Sequence, residues 1–393
     1  MNFLNQKNIV LGVTGGIAAY KAAYLCRLLK EAGAAVQVVM TPAATRFVAP
    51  LTFEALCDKP VLADIFETPL AHIAIARAAD LIIIAPASAN TLAHLAAGSA
   101  DNLLLAVALA RRCPLLIAPA MNTAMWENPA TQRNLATLKN DGATIVGPNA
   151  GFLACGENGA GKMSEPAEIL SAAQKIFAPQ ILAGKKVVIT AGPTFEKIDS
   201  VRGITNLSSG KMGYAIARAA EMVGAAVTLI SGPTALESPQ NVEILRVTSA
   251  QEMRESAVAH LGKMQVFVAV AAVSDYRAAV IAPQKLKKNK NPLKNIELTE
   301  NPDILAEIAA HKNAPFCVGF AAESENLLEN ARAKQMKKNV PLMIANDIAE
   351  GFGGENNHIF ILEKTAQTEL NGTKNFLAWQ IIQKIAEKIE NPR

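Results

Sequence analysis

The strongest constraint on this chain is a pattern that it carries twice. A short run rich in β-branched residues is followed by a glycine-punctuated loop, an amphipathic stretch, a closing glycine and another apolar run. In the first copy 8–14 reads as a strand, Gly15 and Gly16 open a helix, Gly33 ends it and 35–40 is the next strand. In the second, 187–190 is the strand, Asn206-Leu-Ser-Ser-Gly-Lys-Met-Gly213 opens the helix, Gly224 closes it and 226–230 follows. Such β-branched runs suit buried parallel strands, and backbone N–H groups at a glycine-rich helix entrance can hold a phosphate. Two starts of one nucleotide-type βαβ fold in 393 residues predict two domains, 1–186 and 187–393, each long enough to bury its own core.

The rest of the pattern agrees. Strands near 81–86, 114–118 and 143–147 alternate with helical stretches near 51–57, 90–97, 100–111 and 128–140 in the first half. Strands near 242–247, 265–270, 316–320 and 342–345 alternate with helices near 249–261, 302–311 and 325–338 in the second, which closes with a hairpin at 358–370 and a helix at 375–390. Alternation at this spacing predicts an α/β chain of two doubly wound, mostly parallel sheets, joined by a linker over 178–185.

Composition removes several classes. Hydrophobic residues make up 51% and charged ones 18%, which is globular. Aromatics are only 5% and the net charge is +4, much of it in the lysine-rich run 285–294, so no nucleic acid or other polyanion partner is expected. The five cysteines are odd in number and lack CxxC spacing, against a disulfide framework or a zinc site. The start shows no cleavable signal pattern, and the longest apolar runs are too short to span a bilayer; the expectation is a cytoplasmic chain without a membrane partner.

In a doubly wound sheet ligands sit at the carboxyl ends of the strands, which singles out certain loops. Gly15 and Gly16 read either as a phosphate loop or as a tight turn. Thr41, Ser88 and Asn90 lie just past strands two and three, as ligand contacts or helix caps. PAMNTAMW at 119–126 is an unusual loop to expose to water; it is either packed by its own side chains or forms a pocket with Asn122 as polar handle. His72 precedes an apolar helical segment, as a packed or capping residue or a catalyst. AGFLACGENGAGKM at 150–163 reads as a glycine-rich, mobile flap carrying Cys155, a surface thiol or a proton donor.

Together His72, PAMNTAMW and ACGENGAGKM resemble the signatures of flavin-dependent cysteine decarboxylases that act on 4′-phosphopantothenoylcysteine. The second half resembles the ligase that makes this compound. The whole chain is thus similar to the bacterial bifunctional coenzyme A biosynthesis family, phosphopantothenoylcysteine decarboxylase/phosphopantothenate–cysteine ligase. The resemblance implies a flavoprotein-type first domain and a Rossmann-like second one. It implies FMN as the electron acceptor that oxidises the substrate thiol before CO₂ leaves. Cys155 is then the proton donor, Asn122 binds the substrate carboxylate, His72 is the base or orienting group, and Gly15, Gly16, Thr41, Ser88 and Asn90 contact FMN. Lys162 stands where many relatives have Arg, keeping the charge but losing a bidentate fork.

The second half carries its own candidates. Asn206 to Gly213 lacks the GxxxxGK[ST] pattern, and its serines suit a helix cap. Asp275 ends a buried strand, where a carboxylate binds ribose hydroxyls, binds a metal or caps a helix. Lys285 opens what composition makes a solvated loop, and Lys334 and Lys338 share one helix face as a solvated stripe. By resemblance Asn206 acts in the acyl-nucleotide step, and Ser208, Ser209 and Gly210 hold phosphates. Lys285 reaches the triphosphate from a lid, Asn301, Pro302, Asp303 and Ile304 read cytosine, and Ala271, Asp275, Phe320, Lys334 and Lys338 complete the CTP site, with Asp275 a ligand for Mg²⁺. The implied reaction activates 4′-phosphopantothenate as an acyl-cytidylate, which cysteine's amine attacks with loss of CMP. The family's FMN sites lie between subunits, so a homo-oligomer is expected.

Two other classes fit the sequence less well. A flavin-fold binding module would be favoured by loss of Cys155 or His72, and both are present. An NAD-type oxidoreductase needs GxGxxG and an acid at the end of the next strand, where Met40 and Thr41 stand instead.

Overall fold

The computed structural model describes residues 2–66, 69–287, 295–323, 325–347 and 354–390. The chain divides into two compact units, Asn2–Ala178 and Pro179–Arg393. The break precedes the position expected from composition. Leu182, in the anticipated linker, is buried in the second unit's core, and its N–H donates to Val223 O at 3.0 Å.

In the first unit β1 (Asn8–Val13), β2 (Ala35–Met40), β3 (Leu81–Ala87), β4 (Leu115–Pro119) and β5 (Thr144–Ile145) form a parallel sheet in the order β2-β1-β3-β4-β5. The uninterrupted apolar run of β3 is fully buried because helices cover both faces. One face packs on α1 (Ala19–Glu31), α2 (Pro50–Cys57) and, after the intervening elements, α8 (Pro166–Phe177). The other packs on α3 (Ala71–Ala78), α4 (Ala89–Ala97), α5 (Leu103–Ala110) and α7 (Pro129–Asn140). Helix α5 is apolar all round, which is why it is buried along nearly its whole length.

Two stretches expected as loops are ordered elements. Thr123–Glu127 in the PAMNTAMW segment is the short helix α6, capped by Asn122, whose Oδ1 accepts from Ala124 N at 2.8 Å. The glycine-rich flap is an antiparallel hairpin of β6 (Asn149–Phe152) and β7 (Asn158–Lys162). Two of its glycines, Gly159 and Gly161, permit close approach. A Cβ on Gly161 would lie 2.2 Å from Met121 O, and one on Gly159 would lie 2.5 Å from Thr123 Oγ1. The Met121 N–H donates to Gly161 O at 3.0 Å, so β7 is laid backbone to backbone along the Asn122 segment.

The second unit holds a larger sheet in the order β12-β11-β8-β13-β16-β17-β18-β19. Its strands are β8 (Lys186–Ala191), β11 (Ala226–Ser231), β12 (Glu243–Arg246), β13 (Val266–Ala269), β16 (Phe316–Glu323), β17 (Leu342–Asp347), β18 (Asn356–Leu362) and β19 (Gln367–Thr373). Pairing is parallel from β12 through β17; β18 and β19 then return antiparallel. One face packs on α9 (Lys211–Met222) and α13 (Lys374–Glu390), the other on α10 (Ala250–Val258), α11 (Ile304–Ala309) and α12 (Leu327–Lys338). Two small ribbons that the sequence pattern did not signal stand apart from the sheet: β9 (Phe195–Lys197) with β10 (Gly203–Thr205), and β14 (Tyr276–Ala278) with β15 (Leu298–Glu300).

Candidate active sites

In the first unit the strand order reverses between β1 and β3, opening a crevice at their carboxyl ends. Thr14 ties the two loops there: its Oγ1 donates to Pro86 O at 2.8 Å and accepts from Ser88 N at 3.0 Å. A Cβ on Gly16 would meet nothing within 4 Å, so this backbone faces open space, whereas one on Gly15 would sit 2.6 Å from Ala43 Cβ. Helix α1 starts without a side-chain cap; the N–H groups of Ala19 and Lys21 donate to Gly16 O and Ala18 O, each at 3.0 Å. This cradle suits the phosphate of a mononucleotide at a positive helix end.

Thr41 and Ser88 are engaged as caps: Thr41 Oγ1 accepts from Ala44 N at 3.3 Å, and Ser88 Oγ accepts from Thr91 N at 3.3 Å. Both nonetheless stand at the crevice rim, past β2 and β3. Asn90 is exposed on the first turn of α4. His72 is half-buried near the start of α3 and makes no hydrogen bond to the other candidates among the described residues.

Past β4 the structure gathers a tighter group. Asn122 Nδ2 lies 3.3 Å from Cys155 Sγ and 2.6 Å from Glu157 Oε2, and Cys155 Sγ lies 3.7 Å from the same carboxylate oxygen. Cys155 is exposed at the hairpin tip. An amide donor, a thiol and a carboxylate thus converge on one solvent-open point. Glu157 was missed in the sequence; its place two residues from Cys155 in the same turn of the hairpin was the available signal. Lys162 Nζ sits 3.1 Å from Glu165, which Lys21 also holds at 2.8 Å. Lys21 first, then Lys162, keep the Glu165 carboxyl below its ordinary range.

The second unit has a cavity of about 560 Å³ at the carboxyl edge of its sheet. Its order reverses between β8 and β13, and both Gly192 and Ala271 line the cavity there. Ser208, Ser209 and Gly210 line it at the entrance to α9, where Gly210 takes the left-handed conformation (φ +76°) and no side chain caps the helix. Asn206 is not among the lining residues but stands behind one of them: its Nδ2 donates to Ala272 O at 2.9 Å.

Asn301 to Ile304 line the opposite wall. Asn301 is fixed by donating to Ser274 O at 2.8 Å and accepting from Arg277 Nη1 at 3.0 Å, and Asp303 caps α11. Phe320, Lys334 and Lys338 also face the cavity, so the lysines are no solvated stripe. Each is paired with an acid from another element: Lys334 with Glu323 at 2.6 Å, Lys338 with Asp303 at 2.9 Å. Asp275 is exposed at the rim. No group of three potential ligand residues that could hold a metal stands around it, or elsewhere, among the described residues. Lys285 is exposed and does not line the cavity, and Lys288 to 294 lie outside the described residues.

Lys211, Asn357 and Lys374 line the cavity and were given no role from the sequence. Lys374 is nearly fully buried, with Nζ 2.6 Å from Gly354 O. Burial, and then the neighbouring Lys211 ammonium, push its pKa down. Only the packing of α13 on α9 brings these positions together, so local pattern carried no signal.

Residues 2–178 match the family model described as Flavoprotein, and 182–389 match that of the DNA/pantothenate metabolism flavoprotein C-terminal domain. The Coenzyme A biosynthesis bifunctional protein CoaBC of Vibrio cholerae is 46% identical over 99% of this chain and 100% of its own. That of Bacillus subtilis is 43% identical over 98% and 97%. Among solved structures, the C-terminal domain of a CoaBC protein is 40% identical, covers 54% of this chain and 99% of its own, and gives a TM-score of 0.47. No helix among the described residues is long and apolar enough to cross a membrane.

Proposed function

This chain belongs to the bifunctional coenzyme A biosynthesis family, and from that premise we propose how its two units divide the work. The chain joins 4′-phosphopantothenate to cysteine and decarboxylates the product to 4′-phosphopantetheine; the ligase lies in Pro179–Arg393 and the decarboxylase in Asn2–Ala178. The observation that carries the decarboxylase reading is the approach of Asn122 Nδ2 to Cys155 Sγ at 3.3 Å, across a backbone seam that only glycines allow.

The cofactor is FMN, with its phosphate on the Gly15–Gly16 loop and the start of α1, and Thr41, Ser88 and Asn90 around its rim. When bound, it supplies the two-electron exchange that lets a cysteine carboxylate leave without an unstabilised carbanion. Asn122 donates to that carboxylate, aiming the scissile bond. His72 orients the thiol end or takes its proton. Cys155, open to solvent at the hairpin tip, delivers a proton to the carbon that has lost CO₂.

In the second unit CTP lies along the switch point, with its base on Asn301, Pro302, Asp303 and Ile304 beside Ala271 and Phe320. Its phosphates lie on Ser208, Ser209 and Gly210. Lys334, Lys338 and Lys285 neutralise charge that grows on the phosphates as the acyl-cytidylate forms. Asp275 would be the protein's contribution to a Mg²⁺ ion that neutralises the triphosphate, an ion seldom caged by protein alone. Asn206, held on Ala272 O, polarises the acyl group for attack by the cysteine amine. The chain works as a homo-oligomer; the exposed rings of Tyr20 and Tyr24, one turn apart on α1, support a contact with a second copy.

The test is product mass after mixing the purified protein with 4′-phosphopantothenate, cysteine, Mg²⁺ and either CTP or ATP. 4′-Phosphopantetheine with CMP in the CTP reaction, and a flavin spectrum from the protein itself, are expected. The cysteine adduct alone would remove the decarboxylase assignment. Equal turnover with ATP would remove the cytosine-reading role of 301–304.

A further inference from the structure

Two buried thiols in the first unit meet between neighbouring helices, apart from the group around Asn122. Cys26 stands in the middle of α1 and is fully buried; Cys57 is the last residue of α2 and is 6% exposed. Their Sγ atoms are 3.4 Å apart. Cys57 Sγ also donates to Phe53 O at 2.7 Å, which leaves Cys26 as the donor in the contact between the thiols. A disulfide bond measures about 2.0 Å, so the two sulfurs need to close by only about 1.4 Å. Cys57 is the partner free to move. It ends its helix, Asp58 after it takes the left-handed conformation (φ +55°), and Asp58, Lys59 and Pro60 are all exposed.

We propose that Cys26 and Cys57 form a dithiol site that a hydroperoxide oxidises reversibly to a disulfide, with Cys57 the attacking sulfur and Cys26 the resolving one. Cys57 is the sulfur that solvent can reach, beside the exposed turn that follows it. Its thiolate is favoured first by the hydrogen bond from Cys26, against the cost of burial, and then by the charges of Lys30 and Lys59; its pKa lies below the ordinary thiol value. The carbonyl end of α2 opposes that negative charge. Lys30, with Nζ 2.6 Å from Asp58 Oδ2, stands at the same helix end and offsets it. Cys26 is kept as the thiol, its pKa pushed up by the same hydrogen bond and by burial. A cysteine that only fills space in a core is inert. Here one sulfur of a facing pair is set to ionise and the other to hold its proton, as a two-step oxidation requires.

In the first step the Cys57 thiolate attacks one peroxide oxygen, the O–O bond breaks, and hydroxide or an alkoxide leaves; Cys57 becomes a sulfenic acid. In the second the Cys26 sulfur attacks the Cys57 sulfur, the S–O bond breaks, and water leaves with the Cys26 proton. The two thiols lose two electrons and the peroxide gains them. An external dithiol reverses the change by exchange. The bond ties α1, which begins just past the Gly15–Gly16 loop, to α2 at the place where Lys30 and Asp58 already join them.

The experiment is peptide mass mapping of the full-length protein, reduced, freed of reductant, treated with hydrogen peroxide, then alkylated with N-ethylmaleimide in denaturant and digested. The peptides holding Cys26 and Cys57 should be joined, two hydrogen masses below the sum of the free peptides, and should separate after dithiothreitol. Both thiols should lose the label together, while Cys317, whose pKa burial pushes up to about 12, keeps it. Full labelling of Cys26 and Cys57, a bond from Cys57 to any other cysteine, or equal loss of label at Cys317 would each overturn the proposal. The order of attack is read with dimedone, which captures sulfenic acids. Cys26→Ser should leave an adduct on Cys57, and Cys57→Ser should leave Cys26 unmodified. If either variant does not fold, the wild type oxidised in the presence of dimedone decides: capture on Cys57 supports the order and capture on Cys26 overturns it.

Discussion

Replacing Gly161 with alanine should disable the decarboxylase half and leave the ligase half intact. The added Cβ would sit 2.2 Å from Met121 O, where ordinary contact begins at 3.4 Å, and the obstacle is backbone that no rotamer change can move aside. The seam between β7 and 121–123 must open by about 1 Å, and a misplacement of that size costs on the order of 10²-fold in rate when it shifts groups that act together. The groups shifted are Asn122, 3.3 Å from Cys155 Sγ, and Glu157, 2.6 Å from Asn122. The hydrogen bond from Met121 N to Gly161 O is lost too, and with it about 0.5–1.5 kcal/mol. Gly159→Ala is the comparison. Its Cβ meets Thr123 Oγ1, a side-chain atom that can turn away, so the loss should be smaller. The assay is 4′-phosphopantetheine formed from preformed 4′-phosphopantothenoylcysteine, with CMP release in a separate reaction as the control. Wild-type decarboxylation by Gly161→Ala would refute the claim that these glycines exist for close approach and would restore the simpler view of a loose flap.

Other substitutions test other parts of the account. Asn206→Asp replaces the donor to Ala272 O with a second acceptor, so CMP release should fall by about two orders of magnitude while decarboxylation of the preformed adduct continues. Phe267→Ala empties a fully buried site in the second unit's core and should cost about 3–5 kcal/mol, seen as a lower Tm. Asp199 accepts from the Arg202 guanidinium and from the N–H groups of Val201, Arg202 and Leu286, with Arg202 the main cause of a carboxyl pKa well below the usual range. Its contribution is therefore complete above the ordinary carboxylate pKa and is lost as pH falls through the depressed native value. The Tm gap between wild type and Asp199→Asn should be constant from neutral pH down to about pH 5 and close below about pH 4.

Much of this architecture could be read from local pattern, because parallel strands buried on both faces leave unbroken apolar runs. The strands read at 8–14, 81–86 and 187–190 overlap β1, β3 and β8 to within one residue at each end for that reason. The edge ribbons β9/β10 and β14/β15 are three residues per strand and partly polar, too short for any period to show. The hairpin β6/β7 was hidden by its glycines, which suggest looseness in sequence, although Gly159 and Gly161 serve contact in space. At the candidate sites, Gly16, Ser88 and Asn122 were singled out because the fold fixes where loops past strand ends go, whereas Ser208 rested on the helix entrance and Asn301 on the family resemblance. Lys211 and Lys374 were given no role, since one begins a helix as an ordinary surface lysine would and the other depends on α13 docking far along the chain. The lysine pair at 334 and 338 looked solvent-facing for the same reason, its acids Glu323 and Asp303 arriving from other elements.

The central claim is that two consecutive reactions occupy separate units, with Cys155 serving only the second. The most direct measurement is the product mass formed by full-length Cys155→Ser from 4′-phosphopantothenate, cysteine, Mg²⁺ and CTP. CMP and 4′-phosphopantothenoylcysteine should accumulate at the wild-type ligation rate, with 4′-phosphopantetheine absent. Formation of 4′-phosphopantetheine at the wild-type rate would contradict the role of Cys155, and loss of CMP release would contradict the independence of the two units.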